Sequence, residues 1–286
     1  MIAVILNIEQ DHLDYYGDIE EINSAFRAFA LGSDPDGVIV VNGEDENIRQ
    51  IVEDIQTHRQ VETFGFAETN DYSAQNIELV DGTYVFDVLY KGKWLGSPRL
   101  SLPGRHNILN ALAVTAAAIN AGVYADKVME FLGQFTGVER RLTLKADIDG
   151  KRIIDDYAHH PTEIRASLQA IREKYQPGRL FCVFQPHQYS RTRFLLDDFA
   201  ESFKLADVTI VPEIYFVRDT EQSRQEVNSQ MLVEKIYAKG SEAIFIEGFS
   251  QICDYLKENV QNGDVVVTMG AGDVWKVADE YIQWLG

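Results

Sequence analysis

Beyond residue 142 the chain alternates short apolar runs with helical stretches, and that rhythm constrains the fold more than any other feature. Leu180-Phe181-Cys182-Val183-Phe184 has no polar face, and Val265-Val266-Val267 is equally uniform. Runs of this kind are buried on both sides, as in parallel sheets whose crossovers are helices. Strands are predicted near residues 180–185, 208–211, 243–246 and 265–269. Helices are predicted near 161–174, 192–205, 228–238, 249–259 and 274–284. A hairpin over 142–148 and 151–155, turned by Asp149-Gly150, precedes them. The fold class is therefore α/β, with an open, doubly wound, mostly parallel sheet. Ligands of such sheets sit at the carboxyl ends of the strands. Three polar clusters fall there: Asp155 to His160, Gln185 to Arg193, and Met269 to Asp273.

The first half differs in texture. An apolar run from Ala3 to Ile8 reads as a strand buried on both faces. A helix is expected over 19–31, a strand over 38–41, a helix over 44–55 and a strand over 62–66. Residues 72–102 alternate like antiparallel hairpins, with a Lys91-Gly92-Lys93 turn. Helices should cover 106–121 and 125–131. A boundary is expected around Thr136-Gly137-Val138-Glu139-Arg140-Arg141, which suits 286 residues divided into two domains. The formal charge is −19, from 45 acidic and 26 basic residues. Such a chain is repelled by nucleic acid and by anionic membrane. No apolar stretch has the length of a membrane span, and the N-terminus lacks the basic flank of a signal peptide. Two cysteines, Cys182 and Cys253, make no disulfide framework, so a reducing, cytoplasmic location is expected.

Five of the six histidines lie in compact polar motifs. In Asn7-Ile8-Glu9-Gln10-Asp11-His12-Leu13-Asp14 an imidazole flanked by carboxylates suits either a divalent metal or a turn and helix cap. In Pro103-Gly104-Arg105-His106-Asn107-Ile108-Leu109-Asn110, the amides of Asn107 and Asn110 share one helix face. They can pair with a purine edge or serve as buried, satisfied caps. Asp155-Asp156-Tyr157-Ala158-His159-His160-Pro161-Thr162-Glu163 is a strand-to-helix turn. Pro161 marks the helix start, where free N–H groups favour anions. Neighbouring His159 and His160 point their rings apart, which argues against a shared zinc. Gln185-Pro186-His187-Gln188-Tyr189-Ser190-Arg191-Thr192-Arg193 sets two arginine forks beyond a strand, suited to phosphate or carboxylate. Gly270-Ala271-Gly272-Asp273 lacks the third glycine of a dinucleotide fingerprint and reads as a tight turn.

Taken in order, these motifs resemble the Mur ligases, ATP-dependent amide-forming ligases of peptidoglycan precursor synthesis. Within that family, the Asp155–Glu163 and Phe184–Thr192 segments are similar to members that join L-alanine to UDP-N-acetylmuramate. The tripeptide-recycling ligases share the first segment only. The resemblance implies that residues 1–138 are the latter part of a central ATP-binding domain and residues 139–286 a C-terminal, amino-acid-binding domain with a Rossmann-like sheet. It implies ATP and magnesium (Mg2+) as cofactors, with His12 as a metal ligand. It puts His106, Asn107, Asn110, Arg140 and Asp156 near the nucleotide. Tyr157, His159, His187 and Arg191 fall near the incoming amino acid, with His187, His159 and Arg191 as catalytic candidates. A base must take a proton from the amine, and either His187 or His159 suits, since imidazoles titrate near neutrality. Some family members carry a carbamylated lysine fifteen residues after the metal histidine; that position is Arg27 here, which cannot be carbamylated in this way. No G-x-x-x-x-G-K-[ST] loop occurs: Gly92-Lys93 and Gly150-Lys151 are followed by Trp94 and Arg152. The expectation is a truncated ligase, inactive alone, with a missing N-terminal polypeptide as partner. The alternatives are a non-catalytic binding module and the tripeptide-recycling activity.

Overall fold

The computed structural model describes every residue except Asp14 and Arg218. The chain forms two compact units, Met1–Thr136 and Gly137–Gly286. Each is built around its own six-stranded sheet.

The first unit runs β1 (Ile2–Ile5), α1 (Ile19–Leu31), β2 (Val38–Asn42), α2 (Glu46–Gln56), β3 (Gln60–Gly65), β4 (Tyr72–Val80), β5 (Thr83–Tyr90), β6 (Lys93–Gly96), α3 (His106–Asn120) and α4 (Ala125–Gln134). Its strands lie in sequence order, parallel from β1 to β4 and antiparallel from β4 to β6. The helices start where acidic caps stand. Asp18 accepts from the Glu21 N–H before α1, and Asp45 from the Ile48 N–H before α2. Ile22, Ile48, Ile51 and Ile55 from these helices close over Ala3, Ile5, Ile39 and Val41. Ile108, Leu112 and Ala116 of α3 close the opposite face with Val40, Phe64 and Phe86. The expected burial of the first strand on both faces is corrected here. Val4 is 36% exposed and Leu6 44% exposed. The strand lies at the sheet edge, and α3 covers mainly β2 and β3 on that side.

The second unit continues with β7 (Thr143–Ile148), β8 (Lys151–Asp156), α5 (Pro161–Tyr175), β9 (Leu180–Phe184), α6 (Tyr189–Phe194), α7 (Leu196–Glu201), β10 (Val208–Val211), α8 (Glu221–Glu226), α9 (Ser229–Ala238), β11 (Ala243–Phe245), α10 (Phe249–Asn259), β12 (Val265–Met269) and α11 (Trp275–Leu285). The strand order is β11-β10-β9-β12-β8-β7, parallel except for β7. Ile164 and Leu168 of α5, Phe199 of α7 and Leu232 of α9 fill one face. Ile252 and Leu256 of α10 with Val277 and Tyr281 of α11 fill the other. The chain therefore leaves β8 and β9 toward one face, but leaves the strand between them, β12, toward the other. That reversal opens a crevice at the carboxyl ends of these three strands.

One further expectation needs correction. Residues 192–205 do not form one helix. The chain breaks at Leu195 (φ −102°, ψ 19°) into α6 and α7, with no glycine or proline at the break. Packing decides it: α7 delivers Phe199 to within 5.4 Å of the Phe184 ring, and Phe203 beyond it to within 5.1 Å. The short helix α8 was not anticipated.

Candidate functional site

The carboxyl edge of the second unit's sheet carries a continuous row of rings and guanidinium groups. The turn after β8 supplies Tyr157 and His159. Arg140 and Arg141 lie over the Tyr157 ring, 5.0 and 5.6 Å from its centroid. The Tyr157 and His159 rings meet edge-on at 5.4 Å, and His159 lies 6.4 Å from His187 on the loop after β9. Tyr215, beyond β10, stacks on His187 at 5.4 Å and 13°. An Arg191 Nη1 stands 3.4 Å from His187 Nδ1. The structure thus brings together Arg140, Tyr157, His159, His187 and Arg191 of the sequence-predicted set. In a chain of charge −19, this edge concentrates cations and imidazoles.

The local folding of each loop explains the placement. His160 caps α5, accepting from Thr162 N, and Pro161 occupies the first helical turn. Glu163 reaches back and accepts from the His159 and His160 N–H groups at 3.0 and 3.3 Å. The same carboxylate lies 3.4 Å from His159 Nδ1, which also meets the Tyr157 carbonyl at 2.9 Å. On the next loop, Asp219 accepts from Tyr189 N and Ser190 N, fixing the start of α6. Arg140 sits at positive φ (58°) and is pinned twice. Its Nε donates to Asp155 Oδ2 at 3.0 Å and its Nη2 to the Gly270 carbonyl at 2.7 Å.

Asp156, expected near the nucleotide, is enclosed by its own turn. It is 2% exposed, and its two oxygens accept from Ala158 N at 2.9 Å and Ser167 Oγ at 2.7 Å. It builds the turn from within. Burial pushes its carboxyl up to about 6, against the lowering pull of those two donors.

Three further residues, to which the sequence assigned no site role, support the row. Asp155, buried at the end of β8, orients Arg140 and accepts from Thr268 Oγ at 2.8 Å. Tyr215 holds the His187 loop, donating its N–H to Pro186 O while its carbonyl accepts from Gln188 N. Gly272 explains part of the weak Gly270-Ala271-Gly272-Asp273 signal. A Cβ there would stand 2.9 Å from the Tyr215 ring and 2.8 Å from Gln185 Oε1. A buried acid at a strand end was the one available signal for Asp155, because such a charge requires a partner. Alongside this row, a hollow of about 400 Å³ is lined by residues that include Tyr189, Glu213, Phe216, Arg224 and Glu247.

The first unit holds the remaining candidates. Asn107 Nδ2 donates to Pro103 O at 2.7 Å, and its Oδ1 accepts from Asn110 Nδ2 at 3.1 Å. Asn107 is thereby satisfied within the turn, while Asn110 is exposed. His106 opens α3, beside Arg105, whose guanidinium lies 4.5 Å from the Phe66 ring centroid. His12 has a left-handed backbone (φ 54°) and its Nε2 is 3.9 Å from Asp11 Oδ2. Asp14 of the same motif lies outside the described residues. Among the described residues, no three His, Cys, Asp or Glu side chains stand together as a metal-holding group. Arg27 pairs with Asp54, joining α1 to α2. Among the described residues no helix is long and apolar enough to cross a membrane.

Comparison with known proteins follows the same division. Residues 1–118 match the Mur ligase middle domain, and residues 140–272 match the Mur ligase, glutamate ligase domain. Over 283 residues the chain is 41% identical to UDP-N-acetylmuramate–L-alanine ligase of Caldanaerobacter subterraneus, covering 99% of this chain and 60% of the relative. It is 44% identical over 278 residues to the protein of that name from Alkaliphilus metalliredigens, covering 97% of this chain and 59% of the relative. The crystal structure of a UDP-N-acetylmuramate–alanine ligase from Thermotoga maritima aligns with TM-score 0.77 and 28% identity, over 99% of this chain and 59% of that one. The chain thus spans about 60% of the length of the curated relatives it matches.

Proposed function

The chain belongs to the Mur ligase family, and from that premise we propose that it is the middle and C-terminal portion of an ATP-dependent ligase that joins L-alanine to UDP-N-acetylmuramate. In this reading residues 1–138 belong to the nucleotide-binding domain and residues 139–286 to the amino-acid-binding domain. The reaction activates the muramate carboxylate as an acyl phosphate, and the alanine amine then displaces phosphate. Soluble nucleotide substrates of this kind suit the cytoplasm, where the two buried thiols stay reduced.

The observation that carries the proposal is the row Arg140–Tyr157–His159–His187–Arg191. Arg191 offers a planar fork for the alanine carboxylate or for a phosphoryl oxygen. The His159 and His187 rings lie 6.4 Å apart and are the two candidates to take the amine proton. Arg140, held by Asp155, adds a fixed positive charge. Asn110 and His106 are the groups of the first unit assigned to the adenine. Magnesium would require oxygen donors beyond His12 and Asp11, so no role in the reaction is derived for it.

Phosphate release should be measured with ATP, UDP-N-acetylmuramate and L-alanine, with and without the N-terminal portion of a relative. Alanine-dependent release that requires the added portion supports the proposal. Release that responds to a murein tripeptide but not to alanine assigns the chain to the recycling reaction. Binding of nucleotide or alanine without release in either mixture assigns it to a binding module.

A further inference from the structure

The two imidazoles at the carboxyl edge face partners of opposite and fixed polarity. His159 Nδ1 meets the Tyr157 carbonyl oxygen at 2.9 Å and the Glu163 carboxylate at 3.4 Å. Neither oxygen can donate, so Nδ1 of His159 carries the hydrogen and the lone pair resides on Nε2. His187 Nδ1 meets Arg191 Nη1 at 3.4 Å. A guanidinium has no acceptor, so Nδ1 of His187 carries the lone pair and its hydrogen resides on Nε2.

We infer that the two histidines divide the proton chemistry, His159 accepting the proton of the amine at Nε2 and His187 acting as a neutral hydrogen-bond donor through Nε2–H. The inference rests on the reading of this row as the amino-acid end of the ligase site, and it decides between two residues that the sequence left equivalent. In the acyl-transfer step the amine nitrogen bonds to the acyl carbon. The carbon–oxygen bond to phosphate breaks, its electron pair leaving with the phosphate. The surplus N–H proton passes to Nε2 of His159. The imidazolium formed there has the Glu163 carboxylate and the Tyr157 carbonyl at its other nitrogen, the arrangement that orients and stabilises a catalytic histidine in acyl transfer generally. A proton on His187 would instead face the Arg191 guanidinium, so that ring serves better as a donor to the developing negative charge on the acyl or phosphoryl oxygen.

The geometry around His187 favours a fixed donor. Tyr215 stacks on the ring at 13° and is tied to its loop by two backbone hydrogen bonds. Gly272 gives the Tyr215 ring room that any side chain would fill. Glu163 is held in turn by two backbone N–H groups of its own turn. Each imidazole thus has a dedicated orienting neighbour, Glu163 of its own turn for His159 and Tyr215 of another loop for His187.

The test is a long-range proton–nitrogen correlation spectrum of the full chain with nitrogen-labelled histidine. The two rings are assigned by His159→Gln and His187→Gln. The expected result is a protonated Nδ1 in neutral His159 and a protonated Nε2 in neutral His187. The same tautomer in both rings, or the reverse pair, overturns the inference. Arg191→Leu should shift the His187 tautomer populations and leave His159 unmoved; an unmoved His187 overturns the assignment of its partner. In the completed ligase, His159→Gln should lower kcat by about 10²–10⁴-fold, the usual scale of a lost general base. A His159→Gln kcat unchanged beside a strongly reduced His187→Gln kcat would reverse the roles. Tautomers as expected with no alanine-dependent release in any mixture would sink the ligase reading while leaving the tautomer assignment intact.

Discussion

Asp156→Asn should uncouple the stability of the second unit from pH. Burial holds the folded-state carboxyl at about 6, against 3.8 for the ordinary group. The folded chain therefore binds this proton more tightly than the unfolded chain. The stabilisation is complete below the unfolded value and is lost as pH rises through about 6. A gap of about 2 units corresponds to about 3 kcal/mol in full. Part of it has already gone by pH 5. Between pH 5 and pH 7.5 the native chain should lose about 1.4 kcal/mol relative to the variant, whose amide does not titrate. Urea unfolding at the two pH values measures this. A Trp94→Phe background leaves Trp275 and Trp284 as reporters of the second unit. Stability differences that agree within about 0.3 kcal/mol at both pH values would refute the reasoning, since the extrapolation is good to about that. A variant that loses ground as pH rises would mean that the Ser167 and Ala158 donors outweigh burial.

Further substitutions probe the scaffold of the site. Asp155→Ala strands the Arg140 guanidinium and the Thr268 hydroxyl together; urea unfolding should show a loss of about 3 kcal/mol. Glu163→Ala removes the acceptor of the His159 and His160 N–H groups and should cost about 1 kcal/mol in the same assay, with faster amide exchange at both residues. Leu112→Ala opens a cavity in the fully buried core of the first unit and should lower its unfolding free energy by about 2–5 kcal/mol. Leu6→Lys places a charge at an exposed position and should move the same transition by no more than about 0.5 kcal/mol.

Much of this architecture was legible because periodicity and packing agree. The runs at 208–211 and 265–269 are strands with those bounds, and the stretch at 249–259 is a helix with those bounds. The break at Leu195 was not legible. It arises where aromatic side chains seat against a distant strand, with no local breaker residue to announce it. The same holds for the site. The clusters that hold His159, His187 and Arg191 could be singled out because they follow apolar strands, and the family resemblance pointed to those three residues within them. Their partners could not: Asp155 reaches Thr268 across 113 positions, and Tyr215 meets His187 only once β9 and β10 lie side by side. The burial of Asp156 was not legible either: its motif singles it out, but its hydrogen bonds to Ser167 and Ala158 depend on how α5 packs after the turn.

The middle position of β12 has a consequence for biogenesis. This strand lies between β8 and β9, yet it is the last of the sheet's six strands to leave the ribosome. Until residues 265–269 emerge, the pair β7–β8 and the trio β9–β10–β11 have no ladder joining them. A nascent chain arrested near residue 260 would hold two half-sheets with open, apolar inner edges, a form prone to off-pathway association. The final segment is the keystone: it seals the sheet and delivers Gly270 and Gly272 to the crevice in one stroke. A frameshift just before residue 265 would thus abolish the second unit as surely as one near residue 143.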